Sequence, residues 1–286
     1  MGPGTPAGAG APAAHILADT PLCRKRRSGR RMMERRPNEQ DSRAAAAAAG
    51  SGRARATGDE ENVAVDVGTA IRERRSVRKF RLDPVPPELI REVLDTARWS
   101  PSWANTQCWS IFVVAGEVLE RLKAASREKA RRGEASTPDL PMPLSQWPEY
   151  LRQRTARLQQ RQPPELAADG SEADTKATFA SAIGELFGAP CLLLFAVDRR
   201  LVPEYACFDT GLIAQSVCLA AHEKGLGTVI TAMAVRDPSL LRAMLPGAAD
   251  KLFVIGVALG YPDWDAAVNR VARERAGLDE LVTWVA

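Results

Sequence analysis

The segment Tyr205–Lys224 is the feature that most restricts how this chain can fold. It is long enough for five turns of helix, and Gly225 follows it, a residue suited to the left-handed turn that ends many helices. Its apolar residues lie around most of the helical circumference and include Leu212, Ile213, Val217, Leu219 and Ala220. A helix of this kind has to be covered from more than one direction. The sequence therefore predicts a long central helix with contacts on several sides.

Four apolar segments predict the strands of a sheet. They are short and rich in β-branched, leucine and aromatic residues, and they are Trp109–Val114, Cys191–Val197, Gly227–Met233 and Leu252–Leu259. The first two are predicted to be buried. Helical patterns separate the strands without a strict βαβ rhythm, which favours an α+β fold over a doubly wound sheet. The GLGT sequence at Gly225–Thr228 lacks the three-glycine spacing of a dinucleotide-binding fold and precedes a strand.

The predicted helices have clear starting signals. Asp66 is a suitable N-cap for a short helix that reaches Arg74, and Pro87 suits the first turn of the next helix. Further helices are predicted at Glu117–Arg131 and Pro238–Met244. The C-terminal segment Leu278–Val285 can pair with a strand or pack against the domain.

Residues 133–170 form an irregular insertion that contains several prolines and one charged helical piece, Glu149–Gln160. Such an insertion is either a lid over a binding site or a variable surface loop, and the residues alone favour neither. If it is a lid, its neighbourhood supplies three aromatic candidates for substrate stacking, namely Trp147, Tyr150 and Phe179.

The first 62 residues differ in composition from the rest of the chain. They are rich in Gly, Pro, Ala and Arg and contain the alanine run Ala44–Ala49. Their 11 Lys/Arg against 7 Asp/Glu account for the net charge of +4, so residues 63–286 carry 28 charges of each sign. Without periodic apolar spacing this tail is predicted to be disordered. The basic run Arg24–Arg27 could bind nucleic acid or be a solvated extension, and a neutral domain argues against nucleic-acid binding elsewhere.

The five cysteines indicate a reducing compartment, and we predict a cytoplasmic protein. They form an odd number without a CxxC pair, and most lie in apolar surroundings that suit buried free thiols. The two histidines are too scattered for a metal site, and no zinc, serine-triad or P-loop pattern occurs. The longest apolar run, Cys191–Val197, is too short to cross a bilayer.

Two segments, on either side of the helix that begins at Pro87, carry candidate binding residues. Arg74, Arg75, Ser76 and Arg78 place three guanidinium groups and a hydroxyl within five residues, which suits a phosphate group, although solvated surface is the alternative. The polar loop Pro101–Gln107 leads into the first strand and offers amide and hydroxyl groups that can hydrogen-bond a planar polar ring.

Four separated motifs, in this order, resemble the FMN-dependent nitroreductase family. They are RRSVRKF, PVPPELIREVLDTARWSPSWANTQCW, GLGT and RERAGLDELVTW, and they extend over about Val67 to Trp284. The resemblance implies a nitroreductase-like fold in residues 63–286, with a central mixed, mainly antiparallel sheet flanked by helices. It also implies bound FMN and an intertwined homodimer whose long helix lies between the subunits and whose C-terminal arm wraps the partner. The insertion then covers the flavin as a lid.

The resemblance also assigns cofactor-binding residues. Arg74, Ser76 and Arg78, with Arg75 beside them, match positions that hold the phosphate, the ribityl chain and the pyrimidine edge of FMN. The loop that contacts the flavin ring is matched by Ser102, Asn105 and Gln107. The segment beside flavin N5 is matched by Ile230, Thr231 and Ala232, and the arginine that closes on the phosphate is matched by Arg275. Ser102 is expected to reach across the dimer interface. Ala232-Met233 replaces a Glu-Gly pair of some relatives, and Cys108 replaces a common proline.

The implied activity is ping-pong reduction of nitroaromatic, quinone or similar electron-poor acceptors by NADH or NADPH. No side chain is assigned as a catalytic acid, so solvent or the flavin supplies the protons. Three alternatives stay open. One is reductive dehalogenation of a halophenol, as in the deiodinase branch of the superfamily, although Glu149 and Tyr150 do not reproduce the spacing of its lid. The others are a flavin-fragmenting enzyme and a nucleic-acid-binding protein that acts through its tail.

Overall fold

The computed structural model describes residues 66–160 and 181–285. In these residues the helices and strands are α1 (Val67–Glu73), α2 (Pro87–Ala97), β1 (Trp109–Ala115), α3 (Gly116–Arg131), α4 (Glu149–Gln160), β2 (Cys191–Asp198), α5 (Pro203–Glu223), β3 (Gly227–Thr231), α6 (Pro238–Met244), β4 (Lys251–Gly260) and α7 (Leu278–Leu281). Residues 181–184 are also helical. No helix in this part of the chain is long and apolar enough to cross a membrane.

The four strands form one sheet in the order β1-β2-β4-β3, and each neighbouring pair is antiparallel. A parallel contact occurs outside the strands, as a single bridge between Ser76 and Thr228. The sheet and the helices packed on it confirm the predicted α+β class. The bridge also places the arginine-rich segment beside β3, which is the contact that organises the candidate site.

Strand β2 is buried from Cys191 to Val197 because its two faces enter two different hydrophobic clusters. Leu192 and Leu194 belong to one cluster, which also contains Leu119 of α3 and Leu241 of α6. The intervening residues, such as Leu193, enter a second cluster with α2 and α5. Alternation of side chains across a strand explains this division. The predicted buried strand at Cys191–Val197 is confirmed.

Helix α5 is covered within this chain on one side. Ile213, Val217 and Ala221 are buried against the second cluster, and Gly225 follows the helix with a φ of +73°, which suits a glycine. Near the start of α5, the side chains of Tyr205 and Phe208 are 67% and 66% exposed. The predicted helix is therefore present, and one end of it has an uncovered aromatic face.

Two strand predictions were wrong in detail. Strand β1 lies at the edge of the sheet and is not fully buried, since Val113 is 47% exposed. Strand β3 ends at Thr231, two residues earlier than predicted, and Ala232–Val235 forms a 3-10 turn. This turn crosses β4 closely, because a Cβ at Gly256 would lie 2.5 Å from Ala234 Cβ.

The insertion begins with an anchor to the core. The Asp139 carboxylate accepts hydrogen bonds from Arg242, from Phe253 N at 3.0 Å and from Arg199 at 3.3 Å. The predicted helical piece of the insertion is confirmed as α4, with the same bounds. Residues 161–180 and the predicted tail at residues 1–62 lie outside the described part of the chain. At the other end, Leu278–Val285 forms the short helix α7 followed by exposed residues.

The cysteine prediction is confirmed in part. Cys108, Cys191, Cys207 and Cys218 are free thiols, but only Cys191 and Cys218 are buried. Burial raises the pKa of the Cys191 thiol to about 12, so it is protonated at neutral pH. Cys23 lies outside the described residues.

Candidate functional site

Helix α1 delivers the arginine-rich segment to the edge of β3. The Asp66 carboxylate accepts a hydrogen bond from Thr69 N at 3.2 Å and caps the helix, as predicted, and the helix ends before Arg74. Val77 N then donates to Thr228 O at 2.9 Å. This approach needs a glycine in the strand, because a Cβ at Gly227 would lie 2.6 Å from Val77 Cγ2.

Asn269 fixes the same segment from its other side. This side chain is 1% exposed, and its Oδ1 accepts a hydrogen bond from Arg78 N at 2.7 Å. Its Nδ2 donates to Lys79 O at 2.8 Å and to Asp263 O at 2.7 Å. One buried amide therefore joins residues 78 and 79 to the chain that follows β4. Sequence reasoning missed Asn269, since an isolated asparagine in a loop carries no signal.

The C-terminal segment runs along the arginine-rich segment and hydrogen-bonds to it. Arg75 Nη2 donates to Val271 O at 2.5 Å, and the Arg273 guanidinium donates to the carbonyl oxygens of Arg72 and Arg74. Arg275 Nη1 donates to Glu274 O at 2.7 Å. These contacts bring together cations that are almost 200 positions apart in the sequence.

A cavity of about 410 Å³ lies where these segments meet. It gathers five of the predicted residues, which are Arg74, Arg75, Ser76, Arg78 and Arg275. Three further arginines line it that were not predicted, namely Arg154, Arg157 and Arg273. Glu274 and Glu280 are the acidic residues of its wall, so positive charge dominates the cavity.

The arginines of the cavity are partly desolvated and repel one another. Burial lowers the pKa of Arg78, and Arg75 lowers it further. The pKa of Arg273 is lowered by burial and then by Arg75, Arg275 and Arg74, while Glu73 opposes the shift. The Nε atom of Arg74 is buried and has no hydrogen-bond partner among the described residues. A bound anion would pair this donor and relieve the repulsion.

The predicted ring-contacting loop is held in a strained conformation. Three of its non-glycine residues have positive φ, namely Ala104 (47°), Asn105 (59°) and Gln107 (47°). Gln107 N donates to Ser102 Oγ at 2.9 Å, and Gln107 Nε2 donates to Asn105 O and to Asn105 Oδ1, each at 3.1 Å. Strain of this kind persists where surrounding contacts enforce it, and such sites are often functional.

Asp209 of α5 holds the loop in this conformation. Its buried carboxylate accepts hydrogen bonds from Trp103 N at 3.1 and 3.2 Å, and Cys108 Sγ lies 3.7 Å from Asp209 Oδ2. Burial and then the Asp209 charge raise the pKa of the Cys108 thiol. Asp209 was not among the predicted site residues, although a carboxylate in so apolar a helix is a signal for one.

The structure places the other predicted residues apart from the cavity. Ser102, Asn105 and Gln107 contact one another but do not line it. Ile230, Thr231 and Ala232 lie at the end of β3, beyond the Ser76–Thr228 bridge, and they do not line it either. Ile230 is 39% exposed and Thr231 is buried. A single chain therefore presents an arginine cavity and a separate polar loop.

Of the aromatic candidates for substrate stacking, Trp147 and Tyr150 do not line this cavity. Tyr150 is exposed and its ring lies 5.5 Å from the guanidinium carbon of Arg154, while Trp147 is half-buried. Phe179 lies outside the described residues. Residues 66–160 and 181–285 contain no group of three His, Cys, Asp or Glu side chains that could hold a metal ion.

Comparison with known proteins decides the family. Residues 71–261 match the model of the nitroreductase family. The chain belongs to the nitroreductase family. The predicted family and its fold are thereby confirmed for the domain that carries the arginine cavity.

Similar nitroreductases cover most of this chain. Chloronitrobenzene nitroreductase of Comamonas testosteroni is 34% identical over 220 residues, which are 75% of this chain and 95% of that protein. 4-nitrobenzoate reductase of Pseudomonas putida is 34% identical over 218 residues, which are 74% of this chain and 92% of that protein. The solved FMN-dependent nitroreductase NfnB of Mycobacterium smegmatis, in complex with NADPH, has a TM-score of 0.69 at 30% identity and covers 77% of this chain and 100% of that one.

Proposed function

We propose that this nitroreductase is an oxidoreductase that binds FMN in the arginine cavity and uses NADH or NADPH to reduce nitroaromatic or similar electron-poor acceptors. The family and the reductases of nitroaromatic compounds among its relatives support this class of enzyme. The observation that carries the assignment to this chain is the cavity itself. It collects Arg74, Arg75, Ser76, Arg78 and Arg275, the residues matched to the phosphate end of FMN.

The residues of the cavity fit the phosphate of FMN. A phosphomonoester carries a charge of about −1.5 to −2 near neutral pH and accepts charge-assisted hydrogen bonds at three oxygens. The cavity offers guanidinium forks, a serine hydroxyl and the unpaired Nε of Arg74. Arg273, which already donates to Arg74 O, would join Arg275 in holding the phosphate. Cations that lose water and repel one another gain most from such a ligand.

The other matched residues would hold the flavin ring. Ser102, Asn105 and Gln107 offer hydroxyl and amide groups from the strained loop that Asp209 fixes. Ile230, Thr231 and Ala232 would lie by flavin N5, where backbone N–H groups can donate. When bound, FMN supplies the two-electron chemistry, accepting hydride from the nicotinamide and passing electrons to the acceptor in a second half-reaction. Arg78 would stabilise the negative charge that reduction leaves on the ring.

A homodimer would complete this site. In one chain the loop with Ser102 and the arginine cavity are separate, so Ser102 is assigned to the cavity of the partner subunit. The uncovered face of α5, with Tyr205 and Phe208, and the exposed C-terminal Trp284 offer apolar surface for the contact. Light scattering coupled to gel filtration tests the assembly, and a monomer that retains FMN would contradict a shared site.

The remaining parts of the chain take supporting roles in this proposal. Residues 63–286 are the FMN-binding domain, and the insertion at residues 133–170 is its lid, since α4 of the insertion lines the arginine cavity. The tail at residues 1–62 takes no part in the reaction, and the protein is cytoplasmic. Within residues 133–160 no contact favours the dehalogenase alternative, because the Glu149 carboxylate is engaged by Arg152 and Gln153 of its own helix.

Absorption spectroscopy without oxygen tests the function directly. Purified protein should show a flavin spectrum that bleaches on adding NADPH or NADH and returns on adding a nitroarene. Bound flavin that neither nucleotide reduces would point instead to the dehalogenase or to an enzyme reduced by another protein, and consumption of FMN would indicate flavin fragmentation. Protein that binds no FMN after reconstitution would refute the proposal.

A further inference from the structure

The cavity contains more cations than one FMN phosphate needs, and the surplus comes from a separate element. Five arginines belong to residues 74–78 and 273–275, which hydrogen-bond to each other. Arg154 and Arg157 belong to α4 of the insertion. They are three residues apart and therefore lie on one face of the helix.

Charge balance allows a second phosphate in the same cavity. Its wall holds seven arginines against Glu274 and Glu280. One phosphomonoester brings a charge of about −2, so two of them together are still outweighed by the cations.

The contacts of the α4 pair show that it is available for an anion. Arg154 forms an ion pair with Glu280 of α7 at 3.0 Å, and both side chains are exposed. The Arg157 guanidinium has no hydrogen-bond partner in the described part of the chain, although its charge acts on Glu280. A carboxylate oxygen of Glu280 thus occupies the position beside Arg154 where an oxygen of a bound anion would lie.

We propose that Arg154 and Arg157 form a second phosphomonoester subsite and that its ligand is the 2′-phosphate of NADPH. This inference rests on the proposed function, because it assigns part of the reducing substrate to the same cavity. The 5′-phosphate of FMN has the same chemistry, but Arg74, Arg273 and Arg275 of the other two segments already supply its partners. NADH lacks the 2′-phosphate, so the subsite makes the enzyme prefer NADPH.

Binding of a fragment tests the subsite without any redox reaction. The purified protein with its FMN is titrated calorimetrically with 2′,5′-ADP and with 5′-AMP, which lacks the 2′-phosphate. The 2′-phosphate can accept charged hydrogen bonds from the two arginines that 5′-AMP cannot. We therefore expect 2′,5′-ADP to bind at least about tenfold more tightly than 5′-AMP. R154Q and R157Q should abolish most of that difference. Equal affinity of the two nucleotides for the unaltered protein would overturn the proposal.

The chain offers a matched control on the same helix. Arg152 is exposed, pairs with Glu149 at 2.5 Å and does not line the cavity. R152Q should therefore leave the preference for 2′,5′-ADP unchanged. E280Q should change it in the opposite direction, raising the affinity for 2′,5′-ADP a few-fold, because it removes the carboxylate that competes for Arg154. A loss as large in R152Q as in R157Q would reduce the effect to general surface charge and refute the subsite.

Steady-state kinetics and flavin content separate the two possible phosphates. We expect R157Q to lower kcat/KM for NADPH about tenfold while kcat/KM for NADH and the bound FMN stay unchanged. Loss of FMN with an unchanged NADPH-to-NADH ratio would assign the pair to the FMN phosphate and overturn the proposal. A protein that never binds FMN would refute the proposed function, yet comparing R154Q and R157Q with R152Q in the 2′,5′-ADP titration would still decide the subsite.

Discussion

Arg78 N donates to Asn269 Oδ1 at 2.7 Å, and this contact joins two segments that are 191 positions apart. The same amide donates to Lys79 O and Asp263 O, so every hydrogen-bonding direction but one acceptor lone pair is used. A side chain that is buried and engaged in this way fixes the backbone on which Ser76 and Arg78 stand. Asn269 is therefore a positioning residue of the candidate site.

Replacing Asn269 should weaken both the fold and the cavity. N269A leaves Arg78 N and Asp263 O without the partner that Asn269 supplies, while Lys79 O keeps its hydrogen bond from Asp263 N, and each unsatisfied buried group costs about 1–3 kcal/mol. We expect the free energy of unfolding, measured with urea, to fall by about 2–4 kcal/mol and FMN to dissociate more readily. N269D keeps the acceptor for Arg78 N but loses both donors, so it should not restore either property. Unaltered stability in N269A would show that the amide is not structural.

The phosphate end of the cavity predicts weaker FMN retention in the arginine variants. R74A and R275A each remove one charged partner, which is worth about 1.5–3 kcal/mol, so the Kd of FMN should rise about tenfold to a hundredfold in a folded protein. R98A is the control, because Arg98 pairs with Asp95 on the surface at 2.7 Å and does not line the cavity. Fluorescence titration of apoprotein with FMN measures the effect. Unchanged affinity in both variants would refute the cofactor assignment.

Gly227 allows the arginine-rich segment to approach β3 closely, and adding a side chain at this position tests that contact. In G227A the new Cβ would lie 2.6 Å from Val77 Cγ2, and Val77 is fully buried and cannot move aside freely. We expect a loss of about 1–3 kcal/mol in stability and weaker FMN binding, because Ser76 is displaced from Thr228. G184A adds the same methyl group with nothing within 4 Å, and because residue 184 is helical it should leave stability unchanged or raise it by up to about 1 kcal/mol. Equal stability of the two variants would contradict the close approach.

Local signals in the sequence account for much of this fold. Asp66, Pro87 and Gly225 act at helix ends through chemistry confined to a few residues, so the starts of α1 and α2 and the end of α5 could be predicted closely. Strand β2 could be predicted because both of its faces are apolar. The end of β3 could not, since it depends on Gly256 admitting Ala234 from across the sheet.

The candidate site was predictable only where its residues form a pattern. Arg74 to Arg78 are a cluster within one segment, and resemblance adds Arg275. By contrast, Arg154 and Arg157 have the spacing of an ordinary solvated helix face, and only the fold brings α4 to the cavity. The carboxylate of Asp209 stands out in an apolar helix, but its partner Trp103 lies 106 positions away, so no local pattern shows which segment it contacts. Exposure of Val113 on β1 was hidden because an apolar run predicts burial whether or not this chain provides the cover.

The anchor of the insertion predicts a loss of stability in acid. Burial opposes ionisation of Asp139, but the hydrogen bonds from Arg242 and Phe253 N, with Arg199 nearby, outweigh it and lower the pKa of this carboxyl below its ordinary value. A carboxyl with a lowered folded-state pKa contributes stability above its unfolded value, and that contribution is lost as the pH falls through the folded-state value. D139N should remove roughly 3 kcal/mol of stability at pH 7, because Arg242 keeps its largely buried charge and loses its carboxylate partner, although it still donates to Lys251 O. The difference between D139N and the unaltered protein should shrink below about pH 4 when urea unfolding is followed against pH. A difference that is constant from pH 7 to pH 3 would show that the Asp139 charge does not hold the insertion.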